Sequence, residues 1–294
     1  MIKRRDFIKL LSGAGVGVTA AGWSGIAAAD TRRTTSTAAA AVPTIAGVRG
    51  KVVVIGGGMG GATVAKYLRM WGGTGMDVTL VERESAYTSN IMSNLVLNGQ
   101  RTIQSLQYGY GNLANKYGIR MVQGNVVAID PVGRKVSLAD GTVLAYDRLV
   151  IAPGISFNWS ALSGYDEAAA KIMPHAWHAG EQTELLRRQL EAMEDGGTVL
   201  MSVPDNPMRC PPGAYERASL IAWYLKAKKP RSKIIVLDAK DQFSMQRLFQ
   251  NAWKALYPGQ IEWVGLSNGG KINSVDPKTR SLAGDFETYK GTVV

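Results

Sequence analysis

The sequence predicts an α/β fold in three layers, with two domains of one strand–helix–strand plan and a small β-meander. Three observations predict it. The β-branched run Lys51–Ile55 leads directly into Gly56-Gly57-Gly58-Met59-Gly60-Gly61 and a helical stretch from Ala62 to Met70. A second unit, strand Gly197–Val203 followed by helix Ala214–Lys228 and strand Lys233–Leu237, repeats that order. Between them Met121–Leu144, with turn signals at Asp130-Pro131 and Asp140-Gly141, reads as the meander. The expected division is residues 1–29, an export signal; 30–48, a flexible leader; 49–160, a first domain; and 161–294, a second domain incomplete at its end.

The chain has 294 residues, 46% hydrophobic and 19% charged, enough for two folded cores and wrong for a disordered chain. Its formal charge is +11. In residues 1–29 Lys3, Arg4, Arg5 and Lys9 stand against Asp6, which leaves +8 on the remainder. Such a surface suits an acidic protein, an anionic substrate or a membrane face, and equally plain solvation. No Lys/Arg run of the nucleic-acid-arm kind is present, so no nucleic-acid partner is expected.

Arg4-Arg5-Asp6-Phe7-Ile8-Lys9 is a twin-arginine pattern, followed by a weakly apolar stretch, Leu10–Ala21, and the small residues Ala27-Ala28-Ala29. Cleavage before Asp30 is expected, with a periplasmic destination and no integral membrane segment afterwards. The apolar stretch is shorter than the roughly 20 residues a spanning helix needs. Twin-arginine export carries folded proteins, which suits a chain that loads a cofactor before it leaves.

The glycine loop carries the most weight. Strand, G-x-G-x-x-G and helix occur in register, and Asp77–Val81 then reads as a second strand ending at Glu82. Gly56 permits the tight turn, Gly58 lets backbone approach a diphosphate, and Gly61 lets the helix pack on the strand. The helix N-terminus offers free N–H groups, and Glu82 stands where an acid accepts hydrogen bonds from an adenosine ribose. This is the Rossmann-like, FAD/NAD(P)-binding pattern. The apolar strand Tyr146–Ile151, closing in Ala152-Pro153-Gly154, resembles the segment that closes the first FAD-binding section of disulfide-reductase-like flavoproteins, and that resemblance implies FAD rather than NAD at this site. The candidate cofactor-binding residues are Gly56, Gly58, Met59, Gly60, Gly61, Glu82, Arg83, Asn90, Val126, Ala152, Pro153 and Gly154.

The second unit lacks the cradle. Its strand runs into Pro204-Asp205-Asn206-Pro207-Met208-Arg209-Cys210-Pro211-Pro212-Gly213, where prolines remove N–H donors that a phosphate would need. NAD(P)H is therefore not expected there. Cys210, the single cysteine, occupies the vacant strand-to-helix turn, where helix N–H groups stabilise an anion. Glu216 is a candidate base and Arg217 a candidate anion contact; the competing reading is a structural cysteine with two surface helix residues. His175 and His178 have no third ligand nearby, so no metal site is assigned. Glu181–Met193 reads as an amphipathic packing helix, and Lys226, Lys228, Lys229 and Arg231 as a basic patch, solvated or docking an acidic partner.

Over residues 50–294 the chain resembles the flavoprotein subunit of flavocytochrome c sulfide dehydrogenase, a relative of the sulfide:quinone oxidoreductases. The segments that carry the resemblance are KVVVIGGGMGGATVAKY, VERESAYTSNIMSN, YGYGNLANKYGI, YDRLVIAPGI, PHAWHAGEQTELLRRQLEAMEDGGTV and RCPPGAYERASLIAWYLKAKKPRSKIIVLD. The resemblance implies FAD in the first domain and sulfide attack on a redox-active disulfide beside the flavin. It also implies electron passage to a c-type cytochrome subunit in a heterodimer. It makes Cys210 one half of that disulfide and Glu216 a nearby acid–base residue.

The chain departs from the family pattern twice. Asn90 stands where the family often carries a tethering cysteine, so FAD is expected without a covalent link. The chain stops at Thr292-Val293-Val294, after a hairpin opened at Gly284-Asp285, whereas the family continues with a Gly-Asp segment, the second redox cysteine and a further α/β domain. A C-terminally truncated chain, with its C-terminal domain missing, is the resulting expectation. Two rival readings stay open: a sulfide:quinone-type enzyme, and a catalytically impaired subunit that binds a cytochrome.

Overall fold

The computed structural model describes residues 45–294; the segments expected to be an export signal and, up to residue 44, a leader lie outside the described residues. The chain opens with strand β1 (Gly50–Ile55), helix α1 (Met59–Gly72) and strand β2 (Met76–Glu82). A short hairpin-like pair follows, β3 (Ala86–Thr88) with β4 (Gln107–Gly109), holding helix α2 (Asn94–Leu97) between them. Helix α3 (Gly111–Tyr117) leads to β5 (Arg120–Gln123). Strands β6 (Val126–Asp130), β7 (Lys135–Leu138) and β8 (Val143–Ala145) form the antiparallel meander, and β9 (Arg148–Ile151) returns beside β1. The first sheet is parallel, in the order β5-β2-β1-β9.

The second half follows the same plan. Helix α4 (Glu181–Ala192) precedes β10 (Thr198–Val203), helix α5 (Gly213–Lys228), β11 (Lys233–Asp238), helix α6 (Gln246–Leu256) and β12 (Ile261–Val264). A second meander, β13 (Ile272–Asp276), β14 (Ser281–Gly284) and β15 (Thr288–Lys290), then sends the chain back, and Val293 bridges Val199 of β10 in parallel. Strand, helix, strand, meander and return therefore occur twice.

Side-chain alternation explains the layers. In β1, Val52 and Val54 face α1 with Ala65 and Leu80, while Val53 and Ile55 face the meander with Val136, Leu138 and Leu144. A strand buried on both faces must be apolar at every buried position, which is why Val52–Ile55 reads VVVI after the exposed Lys51. In the second half Val199 and Val203 pack on Ala214, Ala218 and Ile221 of α5, and Leu200 packs on Ile272, Val275 and Leu282 of the second meander. Helix α4 buries Thr183, Leu186 and Leu190 on one stripe and carries Glu181 and Glu184 in its first turn, where acids complement the helix dipole.

Two expectations about elements are corrected. Met121 belongs to β5, paired in parallel with Leu80 of β2, and the meander starts at Val126. A half-buried apolar run looks alike in either setting; only its partner decides. The terminal hairpin is part of a three-stranded meander, since β13 lies on the other side of β14.

Residues 152–180 connect the halves through an aromatic cluster. The Phe157 and His175 rings lie 4.0 Å apart, and Trp159 stands within 6.1 Å of both His175 and Tyr165. Tyr165 donates to the Met173 carbonyl at 2.8 Å. Burial, with the neighbouring charges of His178 and Arg217, pulls the His175 pKa down to about 4. The folded protein thus holds this imidazole neutral, while the unfolded chain takes up a proton near the ordinary histidine pKa of about 6.5. Stability from this residue is complete above about pH 6.5 and is lost as pH falls toward 4. Denaturant midpoints measured across that window should fall in the native protein, and the fall should shrink in His175→Gln; an identical slope in the two proteins would remove His175 as its source.

Candidate functional site

The first half of the site is the head of α1. Gly56 has φ +97°, and a Cβ there would lie 2.1 Å from the Ala152 carbonyl oxygen. A Cβ on Gly61 would lie 1.8 Å from the Gly56 oxygen. Glycine at these two positions lets β1, α1 and the β9 turn meet backbone to backbone. Gly58 differs: nothing lies within 4 Å of where its Cβ would be. Gly58 is the N-cap of α1, and no side chain caps the helix and no acid stands in its first turn. The head of this 14-residue helix thus carries no side-chain cap, and the space beside Gly58 is open, an arrangement that fits a diphosphate.

Glu82 sits against this loop. One carboxylate oxygen accepts the Gly57 N–H at 2.5 Å, and the other accepts the N–H groups of Arg83 and Glu84 at 2.8 and 3.0 Å. The carboxylate is thus fixed in place with lone pairs left over for a ribose diol. Ala152 donates its N–H to the Ile55 carbonyl, and Pro153 and Gly154 (φ +81°) continue past Gly56. Met59 and Gly60 open the helix; Met59 is exposed.

The other residues expected to contact cofactor are placed differently. Arg83 points to solvent and pairs only with the exposed Glu84, at 3.3 Å. An exposed pair of this kind holds neither partner firmly. Val126 starts β6, opposite Leu138, and packs against the meander core. Asn90 accepts the Ala179 N–H through Oδ1 at 2.8 Å, tying its loop to the connector.

The second half of the site lies at the head of α5. Cys210 is exposed and sits in the left-handed region at φ +55°, an uncommon conformation for a side-chain-bearing residue. A Cβ built on Gly213 would lie 3.1 Å from Cys210 Sγ and 3.2 Å from Trp177 Cζ3, so the sulfur rests on the first turn of the helix beside the indole. Glu216, exposed on the same helix, accepts a hydrogen bond from Asn94 Nδ2 at 3.1 Å. Asn94 belongs to α2, so an element of the first half reaches the acid.

Arg217 is not the anion contact that its position in the sequence suggested. It is 5% exposed, and its guanidinium donates to Asn94 Oδ1 (3.0 Å), the His175 carbonyl (2.8 Å) and the Ala176 carbonyl (2.6 Å), while lying 4.5 Å from the Trp177 ring centre. Burial pulls its pKa down to about 10, which still leaves it charged at neutral pH. Three charge-assisted hydrogen bonds, each contributing about 1.5–3 kcal/mol, offset the cost of removing the charge from water. Arg217 thereby clamps α5, α2 and the connector together. Asn94, oriented by Arg217 on one side and Glu216 on the other, was missed by motif reading; only its presence in the SNIMSN segment marked it.

The acid that matches Glu82 in the second half is Asp238, and its site is filled from within. Asp238 is fully buried and accepts from Tyr215 Oη (2.7 Å), Lys240 Nζ (2.6 Å) and Trp263 Nε1 (3.0 Å). Lys240 also donates to the Pro204 carbonyl, at the start of the loop that carries Cys210. The basic patch is likewise engaged within the chain. Lys226 donates to the Leu256 carbonyl, Lys229 to the carbonyls of Glu191 and Met193, and Arg231 pairs with Asp195 at 2.9 Å. Three of its four cations thus already have a partner within the chain. Among the described residues no helix is long and apolar enough to cross a membrane, and no His/Cys/Asp/Glu cluster could hold a metal.

Two family models match adjoining parts of the chain. "Pyridine nucleotide-disulphide oxidoreductase" matches residues 50–191, and "Sulfide dehydrogenase [flavocytochrome c] flavoprotein chain, central" matches residues 183–294. The sulfide-quinone reductase of Aquifex aeolicus is 30% identical over 183 residues, covering 62% of this chain and 41% of that protein. The probable ferredoxin reductase CtmF of Castellaniella defragrans is 36% identical over 140 residues, 47% of this chain and 33% of that protein. Among solved structures, the Aquifex aeolicus sulfide:quinone oxidoreductase superposes with a TM-score of 0.67 at 20% identity, over 84% of this chain and 57% of that one. The chain spans about a third to a half of the length of the curated relatives it matches. The twofold strand–helix–meander plan and these matches together support a pyridine nucleotide-disulphide oxidoreductase like the flavocytochrome c sulfide dehydrogenase flavoprotein and the sulfide:quinone oxidoreductases.

Proposed function

We propose that the chain binds FAD at the head of α1 and oxidises sulfide or a related inorganic sulfur anion, with electrons leaving to a c-type cytochrome subunit. The observation that carries this reading is the position of Cys210. Its sulfur rests on the first turn of α5, beside Trp177 and on the helix that presents Glu216, where the second half of a nicotinamide-using relative would need a phosphate loop. The match to the flavocytochrome c flavoprotein chain covers this segment and supports the reading. Export by the twin-arginine route to the periplasm belongs to the same proposal.

The chemistry is a thiol–disulfide exchange. Hydrosulfide attacks Cys210 Sγ in a disulfide whose second sulfur is supplied from outside these 294 residues, since Cys210 is the single cysteine of the sequence. The disulfide bond breaks, a persulfide bond forms on Cys210, and the partner sulfur leaves as thiolate. Glu216 takes the proton that the bound sulfur releases, and Asn94 holds its carboxylate in place. FAD, held at the head of α1 by the loop amides and Glu82, would supply the two-electron acceptor for the sulfur centre. NAD(P)H has no part in this scheme, because Asp238 is occupied by Tyr215, Lys240 and Trp263.

A quinone acceptor is the second reading, favoured by the similarity to the Aquifex aeolicus sulfide-quinone reductase. Sulfide-reduced protein should pass electrons to a soluble c-type cytochrome faster than to a water-soluble quinone analogue, and the reverse order would select the quinone. In the flavin-loaded protein carrying both redox cysteines, Cys210→Ser should abolish flavin bleaching by sulfide at unchanged flavin content. Glu216→Gln should slow bleaching by roughly 10²-fold and flatten its pH dependence. Bleaching at the native rate in Cys210→Ser would remove that residue from the mechanism. Asn90 offers an amide with its oxygen already engaged, so acid precipitation should release all flavin to the supernatant. Flavin retained in the pellet would contradict non-covalent binding.

A further inference from the structure

Of the three positions to which the glycine motif assigns no task, one is packed against a side chain. Gly57 is a free position of the pattern, yet a Cβ on it would lie 2.6 Å from Tyr110 Oη, 2.8 Å from Cζ and 2.9 Å from Cε1. The hydroxyl edge of the phenol therefore presses on the loop, and only glycine admits it. The rest of the ring is held from below, packed against the core of Val52, Val54 and Leu80. Tyr110 is also the residue from which α3 starts, so its backbone is fixed.

Among the described residues the Tyr110 hydroxyl has no hydrogen-bond partner, although its hydroxyl is half-buried at a polar site. Burial, with the charge of Glu82 nearby, pushes its pKa up to about 12, so the group remains a donor at any working pH. A donor brought into a site by the core and left without an acceptor points to an acceptor on the ligand. We propose that Tyr110 is a further binding residue of the dinucleotide site, donating a hydrogen bond to a hydroxyl of the adenosine ribose whose diol Glu82 accepts. Glu82 then acts as acceptor and Tyr110 as donor to one sugar, and Gly57 is glycine to admit the phenol. The inference rests on the reading that a flavin dinucleotide occupies the head of α1.

The test is calorimetric titration of the full chain, freed of flavin, with ADP, 2′-deoxy-ADP and 3′-deoxy-ADP. Tyr110→Phe keeps the ring and removes the donor, and its unliganded melting temperature should match the native one. It should bind ADP about 3–10-fold more weakly than the native chain, the usual worth of one neutral hydrogen bond. One of the two deoxy analogues should bind both proteins equally, because it lacks the hydroxyl that Tyr110 recognises. Equal ADP affinity in the two proteins overturns the inference, and so does an equal loss for all three ligands. A native chain that binds FAD but neither discriminates the analogues nor responds to Tyr110→Phe leaves the flavin reading standing and removes Tyr110 from it; a native chain that binds neither FAD nor ADP removes both.

Discussion

At the head of α1 the carbonyl of Gly56 and the Cα of Gly61 are so close that even a methyl group would collide, and the Ala152 carbonyl closes on Gly56 from the other side. Three backbones meet there with no side chain between them. The start of α1 carries no side-chain cap, and the space beside Gly58 is open. Both faces of β1 lie in core, with α1 on one side and the meander on the other, so the loop is held by packing and not by a ligand. A rigid set of N–H donors loses little freedom when an anion arrives, which is what a cofactor site requires.

The same plan appears a second time with the cradle replaced. In the first half the strand-end acid, Glu82, reaches back to the loop backbone; in the second, Asp238 is sealed beneath Tyr215, Lys240 and Trp263. A buried carboxylate is tolerable only with partners of this kind, and once it has them it no longer offers an open acceptor to a nucleotide. The freed turn carries Cys210 instead. Asn94 and Arg217 then bind the two halves across the site, so that an acid on α5 is oriented by an amide at the start of α2.

Much of this was legible in the sequence because it is local. The β-branched run, the spacing of Gly56, Gly58 and Gly61, the acid at Glu82 and the proline-rich turn before Cys210 are each set by residues within a few positions of one another. What was not legible depends on distant partners. Arg217 read as a surface cation because nothing nearby in sequence reveals carbonyls at His175 and Ala176 or the Trp177 face; the cation is spent on holding the fold. Met121 changed sheets because pairing with Leu80 leaves no trace in its own neighbours. Tyr110 and Asn94 carry no motif of their own, and their roles emerge only where the phenol meets Gly57 and the amide meets Glu216.

The account stands on the backbone amides at the start of α1 holding a diphosphate. A crystal structure of the protein loaded with FAD tests this most directly. The account predicts diphosphate oxygens within hydrogen-bond distance of the Met59 and Gly60 N–H groups, above the open face of Gly58. A diphosphate seated elsewhere, or a head of α1 that stays empty while flavin binds at another place, would contradict it.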